Sequence, residues 1–311
     1  MRALPLLAAL LVGCTDPKDS ADPSGDSVGE PAVEADPFRL ATFNIDWLSP
    51  RVADPEDWEP RNTIDHQLLH SLIEEHAFDI VALQEIEGQA ALDVLRFGDP
   101  WASVVGTQGW SQNLAILYRS DLFTVDDVRE IRLPGTDWPD RFPLVATVRH
   151  VDGMTFTLVV VHHNAYAGAQ DAAYRYNQAA RLREYLDAGL PEEVPPQLAQ
   201  SVVVAGDFND DFEPLNDDYP SLQLMEEGEV WRFATRQAEA ATTIGYESTI
   251  DHIVMSADMV DRWTERAAAK GCHVVEHDAL EPWSNYGGGY GNDQNISSHR
   301  PVWIELDAAV R

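Results

Sequence analysis

SVVVAGDFND, residues 201 to 210, is a short Val-rich run that stops at Gly206 and then presents Asp207 and Asn209 within three positions. A run of this length and composition reads as a strand buried on both faces. Taken singly, Asp207 and Asn209 are turn formers behind a glycine. Held at the end of a buried strand, they are instead a carboxylate and an amide fixed at the rim of a sheet. The segment alone does not separate these readings, so the choice depends on what the rest of the chain brings alongside.

Further strands are expected over 37–46 (PFRLATFNID), 78–85 (FDIVALQE), 113–119 (NLAILYR), 142–151, 154–163 (MTFTLVVVHH), 248–256 and 301–306. HQLLHSLIEEH (66–76) has the three-and-four apolar spacing of an amphipathic helix. A longer helix is expected over 168–189, closed by Gly189 with Pro191 beyond, and a short one within 88–97. Adjoining strands across Val151-Asp152-Gly153 suggest an antiparallel hairpin. Alternating strands and helices elsewhere point to an α/β fold with mixed sheets and helices outside.

The polar residues fall where these strands end. Asn44, Glu85, His162, Asp207, Asn209 and Asp251 close or punctuate strands, and His299 precedes the last one. Groups at strand ends converge readily on one rim. Their chemistry suits hydrolysis of a phosphate ester. A hard divalent cation takes carboxylate and amide oxygens such as those of Glu85 and Asn44. A His held by a carboxylate, as His299 and Asp251 allow, can take a proton from water.

ATFNIDWL, IVALQEIEG, VVVHHNA, VVAGDFND, TIDHIVMS and SSHRPVW, in that order, resemble the successive motifs of the endonuclease/exonuclease/phosphatase superfamily, the deoxyribonuclease I-like proteins. The resemblance spans nearly all of residues 37–308 and implies a four-layer α/β sandwich, two mixed sheets face to face with helices outside. It also implies a divalent metal at the rim, Mg²⁺ with Mn²⁺ or Ca²⁺ as alternatives. Carried over by motif, Glu85 is the principal metal ligand with Asn44 beside it. Asp207 and Asn209 orient water and phosphate, His162 donates to the phosphate or leaving oxygen, and His299 partners Asp251. Arg141 resembles the Arg that opens the strand before the first His motif. Two departures stand out. The final motif is usually Ser-Asp-His, whereas this chain has Ser297-Ser298-His299. Asp46 lies where one branch of the family carries an acid, and could restore the missing charge as a metal-side residue.

The 311-residue chain is 44% hydrophobic, 9% aromatic and 24% charged, the composition of a folded protein. Its formal charge is −32; the tract 15–36 holds seven acids and one Lys, which with Arg2 leaves 27 negative charges net on residues 37–311. That field disfavours polyanions at long range, so such a substrate needs bound cations and a local positive spot. MRALPLLAALLVGC resembles a lipoprotein signal: residues 1–13 are expected to be removed, Cys14 to be lipidated, and 14–36 to tether an exported catalytic domain of 37–311. Thr15 leans toward an outer-membrane anchor. With Cys14 so used, Cys272 has no partner for a disulfide.

The expected activity is that of a nuclease on extracellular DNA or RNA, acting as a monomer. A lipid-head-group phosphodiesterase or a phosphatase are the alternatives, and a non-catalytic surface lipoprotein is a third reading. The aromatic, Gly-rich stretch 278–293 (Trp283, Tyr286, Tyr290) is the candidate for lipid contact.

Overall fold

Two six-stranded mixed sheets pack face to face in the computed structural model, which describes residues 36–51, 63–133, 141–213, 218–244, 247–264, 271–277 and 296–309. They belong to one compact unit, Glu34–Arg311. The first sheet contains β1 (Phe38–Leu48), β2 (Ile80–Ile86), β3 (Trp101–Val105), β4 (Asn113–Arg119), β11 (His273–Val274) and β12 (Val302–Leu306) in the order β11-β12-β1-β2-β4-β3. The second contains β5 (Phe123–Glu130), β6 (Leu144–His150), β7 (Thr155–His162), β8 (Val202–Asp207), β9 (Arg232–Phe233) and β10 (Asp251–Met255) in the order β5-β6-β7-β8-β10-β9.

Each sheet is built around one parallel pair. β1 and β2 are joined through helix α1 (Thr63–Glu75), and β7 and β8 through α3 (Ala169–Glu184), as parallel pairing requires a crossover. All other pairs are antiparallel, including the expected β6–β7 hairpin.

Three apolar clusters make the four layers. Leu40, Ala82 and Ile116 of the first sheet meet Leu158, Val203 and Ile253 of the second in the central core. On the outer face of the first sheet, Phe43, Val81 and Leu83 pack with Leu69 and Ile73 of α1 and Leu92 of α2 (Gln89–Asp93). On the outer face of the second, Val159, Val161 and Val204 pack with Leu182 of α3 and with Leu222. Central strands are therefore buried on both faces, which is why they read as continuous apolar runs.

The four strands that the sequence pattern does not announce, β3, β5, β9 and β11, are the four sheet edges. FTVDDVRE of β5 exposes much of its length and carries charge, as an edge strand does. The long helix also differs from expectation. Gly189 does not close it: residues Tyr185–Gly189 form a π-turn, Gly189 keeps helical angles, and α4 (Leu190–Glu193) follows. Pro191 sits in the first turn of α4, where a missing N–H costs little. The short helix stops at Asp93, well before residue 97. Three further helices, α5 (Pro196–Gln200), α6 (Ser221–Glu226) and α7 (Ala257–Thr264), complete the outer layers, and no helix among the described residues is long and apolar enough to cross a membrane.

Candidate active site

Strand alternation explains where the polar residues point. On β7 and β8, Leu158 and Val160, and Val203 and Ala205, belong to the central core, so His162 and Asp207 continue the same inward rows to the strand ends. Ile253 and Met255 place Asp251 on the same face of β10, and Leu40 places Asn44 likewise on β1. Register then aligns them: His162 pairs with Asp207 across the parallel β7–β8 ladder, and Asp251 pairs with Asp207 across β8–β10. The apolar core between the sheets thus ends in a polar layer at one rim.

Glu85 reaches this layer by breaking the alternation. Val81 and Leu83 face outward, and so would Glu85 in a regular strand, but the ladder shifts register between Leu83 and Ile86 and Glu85 takes a left-handed φ of 64°. The neighbouring strand is irregular at the same level. β1 shifts between Asn44 and Leu48, with Asp46 and Trp47 at φ of 59° and 66°. Gly206 permits the tight β7–β8 approach, since a Cβ there would lie 2.0 Å from the Val161 carbonyl oxygen.

The layer is closely connected. Asn44 Nδ2 donates to Asp207 Oδ2 at 3.0 Å and to Glu85 Oε1 at 3.2 Å, bridging the two sheets. The Asn44 oxygen, expected as a metal ligand, accepts from Asp46 N at 2.9 Å and has a second lone pair. His299 Nδ1 donates to Asp251 Oδ2 at 2.9 Å, and its Nε2 lies 3.9 Å from Asp207 Oδ2. Arg141 Nη1 lies 2.7 Å from His162 Nδ1 and 2.5 Å from His162 Nε2, and that Nε2 is 3.4 Å from Asp207 and 3.8 Å from Glu85. Asn209 donates its backbone N–H to Asp207 Oδ1 at 2.7 Å and its side-chain amide to the His163 carbonyl at 3.1 Å.

The last loop is tied in by Ser297, whose hydroxyl donates to Asn44 O at 2.8 Å and accepts from His299 N at 3.0 Å. Beside it, Ser298 Oγ donates to Asp46 Oδ2 at 3.1 Å. The acid missing from position 298 is therefore answered by one arriving from β1. All nine expected residues, Asn44, Asp46, Glu85, Arg141, His162, Asp207, Asn209, Asp251 and His299, meet at this rim.

Burial of this much negative charge perturbs Glu85, Asp207, His162 and His299. Burial, reinforced by the Asp46 charge, raises the Glu85 carboxyl. Burial and then the neighbouring Asp251 push Asp207 up to about 7. For His299 burial acts downward, but the charge and hydrogen bond of Asp251, with Asp207 and Asp46, outweigh it and push the imidazole up to about 10. Burial and the Arg141 guanidinium hold His162 well below the ordinary value, hence neutral. Raised carboxylates and a cationic His mark a site short of positive charge.

The donor set fits a hard cation. It offers several carboxylates, Asp207, Asp251 and His299 have ligand atoms within 4.8 Å of one another, and the buried Asp251 Oδ1 has no hydrogen-bond partner among the described residues.

A cleft of about 460 Å³ opens onto these groups. Besides Glu85, Arg141, His162, Asp207, Asn209 and His299, its lining includes Trp47, Trp110, Asn164 and Tyr166. Trp110, Asn164 and Tyr166 are not strand-end residues and are not among the expected site residues. Asn164 was legible as the residue after the paired His in VVVHHNA; Trp110 and Tyr166 lie in loops whose only signal is an aromatic among Gly, Ala, Ser and Gln. The stretch 278–293, expected as an aromatic hairpin, and the N-terminal 1–35 lie outside the described residues.

A buried carboxylate–imidazole pair beside further carboxylates, on the rim of a two-sheet α/β sandwich, is the equipment of a phosphoester hydrolase. The sequence profile of the Endonuclease/Exonuclease/phosphatase family matches residues 41–273, and the chain belongs to that family. Solved structures share the fold at low identity. A family member from Bacteroides thetaiotaomicron is 17% identical with a TM-score of 0.62, over 87% of this chain and 95% of that one. A mannosyl-6-phosphatase from the same organism is also 17% identical with a TM-score of 0.62, over 86% and 99%. The human nocturnin catalytic domain with bound sulfate is 16% identical with a TM-score of 0.57, over 86% and 93%. A comparison with curated protein sequences finds no match.

Proposed function

We propose that the protein is an exported, divalent-metal-dependent phosphodiester hydrolase acting on nucleic acid. The observation that carries this is the His299–Asp251 pair at 2.9 Å, set beside Asp207 in a cleft that also presents Glu85 and Arg141. In this reading Asp251 fixes the imidazole through Nδ1 and leaves Nε2 toward Asp207; the neutral form of His299, favoured once a bound cation offsets the acidic charge that raises it, takes a proton from the attacking water. Asp207 and Asn209 orient that water and the phosphate. Arg141 neutralises a non-bridging phosphate oxygen as the local positive spot that an acidic protein needs. His162, held neutral, would hydrogen-bond the phosphate or leaving oxygen once Arg141 Nη1, which contacts both its ring nitrogens, turns to the phosphate.

Glu85, Asn44 and Asp46 would hold the cation, Mg²⁺ or in its place Mn²⁺ or Ca²⁺. The cation supplies Lewis-acid polarisation of the phosphoryl oxygen and neutralises charge developing in the transition state. The names of the structural neighbours, a mannosyl-6-phosphatase and a protein carrying a tetrahedral sulfate, are in keeping with a phosphoryl site.

Export rests on the apolar run that ends at Cys14 and the acidic tract behind it, which together favour a lipid anchor on the cell envelope, with the outer membrane favoured.

Hydrolysis of bis(p-nitrophenyl) phosphate, abolished by EDTA and restored by one of the three cations, is the expected result. Absence of turnover with Mg²⁺, Mn²⁺ and Ca²⁺ alike would remove the reading. Faster turnover of the monoester p-nitrophenyl phosphate would convert it to a phosphatase.

A further inference from the structure

Six large hydrophobic side chains are exposed among the described residues. Three are valines outside the cleft, and the three aromatic ones, Trp47, Trp110 and Tyr166, all line it. Trp110 is 78% exposed and Tyr166 77%. Scattered exposed apolar residues are ordinary, but aromatics gathered at one concave site mark recognition.

Both residues sit in left-handed backbone, φ 57° for Trp110 and 76° for Tyr166, which bulky residues seldom adopt. Both are also locked there. Asn113 clamps the first loop, accepting from Gly109 N at 2.8 Å and donating to the carbonyls of Trp110 at 2.7 Å and Glu87 at 3.2 Å. The fully buried Arg175 clamps the second, donating to the carbonyls of Tyr166 at 2.5 Å and Asn164 at 3.3 Å. Asn164 is held in turn by Asp171 at 2.9 Å and Gln178 at 2.8 Å. The first loop joins β3 to β4 of one sheet and the second follows β7 of the other, so each sheet contributes one aromatic, on a clamped loop backbone, to the cleft.

Charge decides what these rings are for. A duplex is bound through many phosphate contacts from Lys and Arg. The cleft lining contains one such side chain, Arg141, on a protein of net charge −32. Stacking of an aromatic side chain on a base is independent of the protein's charge and needs a base that is not already paired. We propose that Trp110 and Tyr166 form a stacking platform for an unpaired nucleobase next to the scissile phosphate, so that the substrate is single-stranded rather than duplex nucleic acid. This rests on the phosphodiesterase reading above and adds the substrate class.

The test compares kcat/KM on a short single-stranded deoxyoligonucleotide, the same strand annealed to its complement, and the same strand with abasic sites, using the full chain with Mg²⁺. The single strand is expected to be preferred over both. Trp110→Ala and Tyr166→Ala should each lower the ratio of base-bearing to abasic strand by roughly 5- to 150-fold, the range for loss of one stacked base. Both side chains are exposed, so the substitutions leave the core intact, and a circular dichroism melt checks this.

An equal or greater rate on the duplex, or a ratio unmoved by both substitutions, overturns the proposal. So does a substrate preference for a phosphorylated sugar or for sphingomyelin vesicles that depends on the same two rings. If bis(p-nitrophenyl) phosphate is turned over while the base-to-abasic ratio is unity, the stacking inference alone fails. If neither compound is turned over, the reading beneath it fails as well.

Discussion

Ser298→Asp puts a carboxylate back at the position where the family's final motif usually carries one, and the structure predicts that this harms the metal-free protein. Ser298 Oγ now donates to Asp46 Oδ2 at 3.1 Å, and Ser298 N lies 3.4 Å from the same oxygen. The substitution replaces a donor with a second anion. Two charges about 4 Å apart repel by roughly 4 kcal/mol at an effective dielectric of about 20. Partial exposure of both residues screens this to about 1–2 kcal/mol, and loss of the hydroxyl hydrogen bond adds about 1 kcal/mol. For a domain of this size, where each kcal/mol moves the midpoint by about 2–4 °C, Ser298→Asp should melt roughly 4–12 °C lower in EDTA. Mg²⁺ should restore most of the loss, because a cation between the two carboxylates removes the repulsion. Asp46→Asn in the same chain should restore it without metal. The assay is thermal unfolding followed by circular dichroism, in EDTA and across a Mg²⁺ titration. A variant that melts with the wild type in EDTA would refute the placement of Asp46 as the substitute acid. So would a loss that neither Mg²⁺ nor Asp46→Asn repairs.

Gly206→Ala should destabilise by about 2–4 kcal/mol, since its Cβ has no room against the Val161 carbonyl oxygen and β7 must move off β8; an unchanged urea midpoint would contradict the close approach. His299→Ala and Asp251→Asn should each lower kcat by about 10²–10⁴-fold with the melt of a folded protein retained, because one removes the proton acceptor and the other its orienting partner; unaltered kcat in steady-state assays would move the base elsewhere. His150, buried far from the rim, accepts from Asp152 N at 3.2 Å and is held below 6.5 chiefly by burial, with Asp152 partly offsetting. The unfolded chain therefore binds this proton first as pH falls below about 6.5, so the histidine contributes stability above that value and loses it through the window beneath. His150→Gln should shrink the drop in urea midpoint between about pH 7.5 and 5.5; an equal drop in both proteins would show that His150 is not the group titrating.

The central architecture was legible because its cause is local. NLAILYR is β4 to the residue, and the runs ending at His162 and Asp207 are β7 and β8, since a strand covered on both faces has no polar side to interrupt it. Edge strands lack that constraint, so FTVDDVRE and WASVV passed unmarked. Motif order likewise identified which polar residues share the rim. It could not supply the orientation of Glu85, which strict alternation sends outward and a register shift brings in.

What the sequence determined by itself was the set of buried strands and the inventory of acids, amides and histidines at their ends, because burial period and strand length are written in consecutive residues. The tertiary structure alone decided how that inventory is wired. Asp46 meets Ser298 across 252 positions, Asn44 bridges two sheets, and Trp110 and Tyr166 arrive at one cleft from loops that share no motif. Those contacts depend on irregular left-handed turns and on the packing of one sheet over the other, neither of which leaves a periodic trace along the chain.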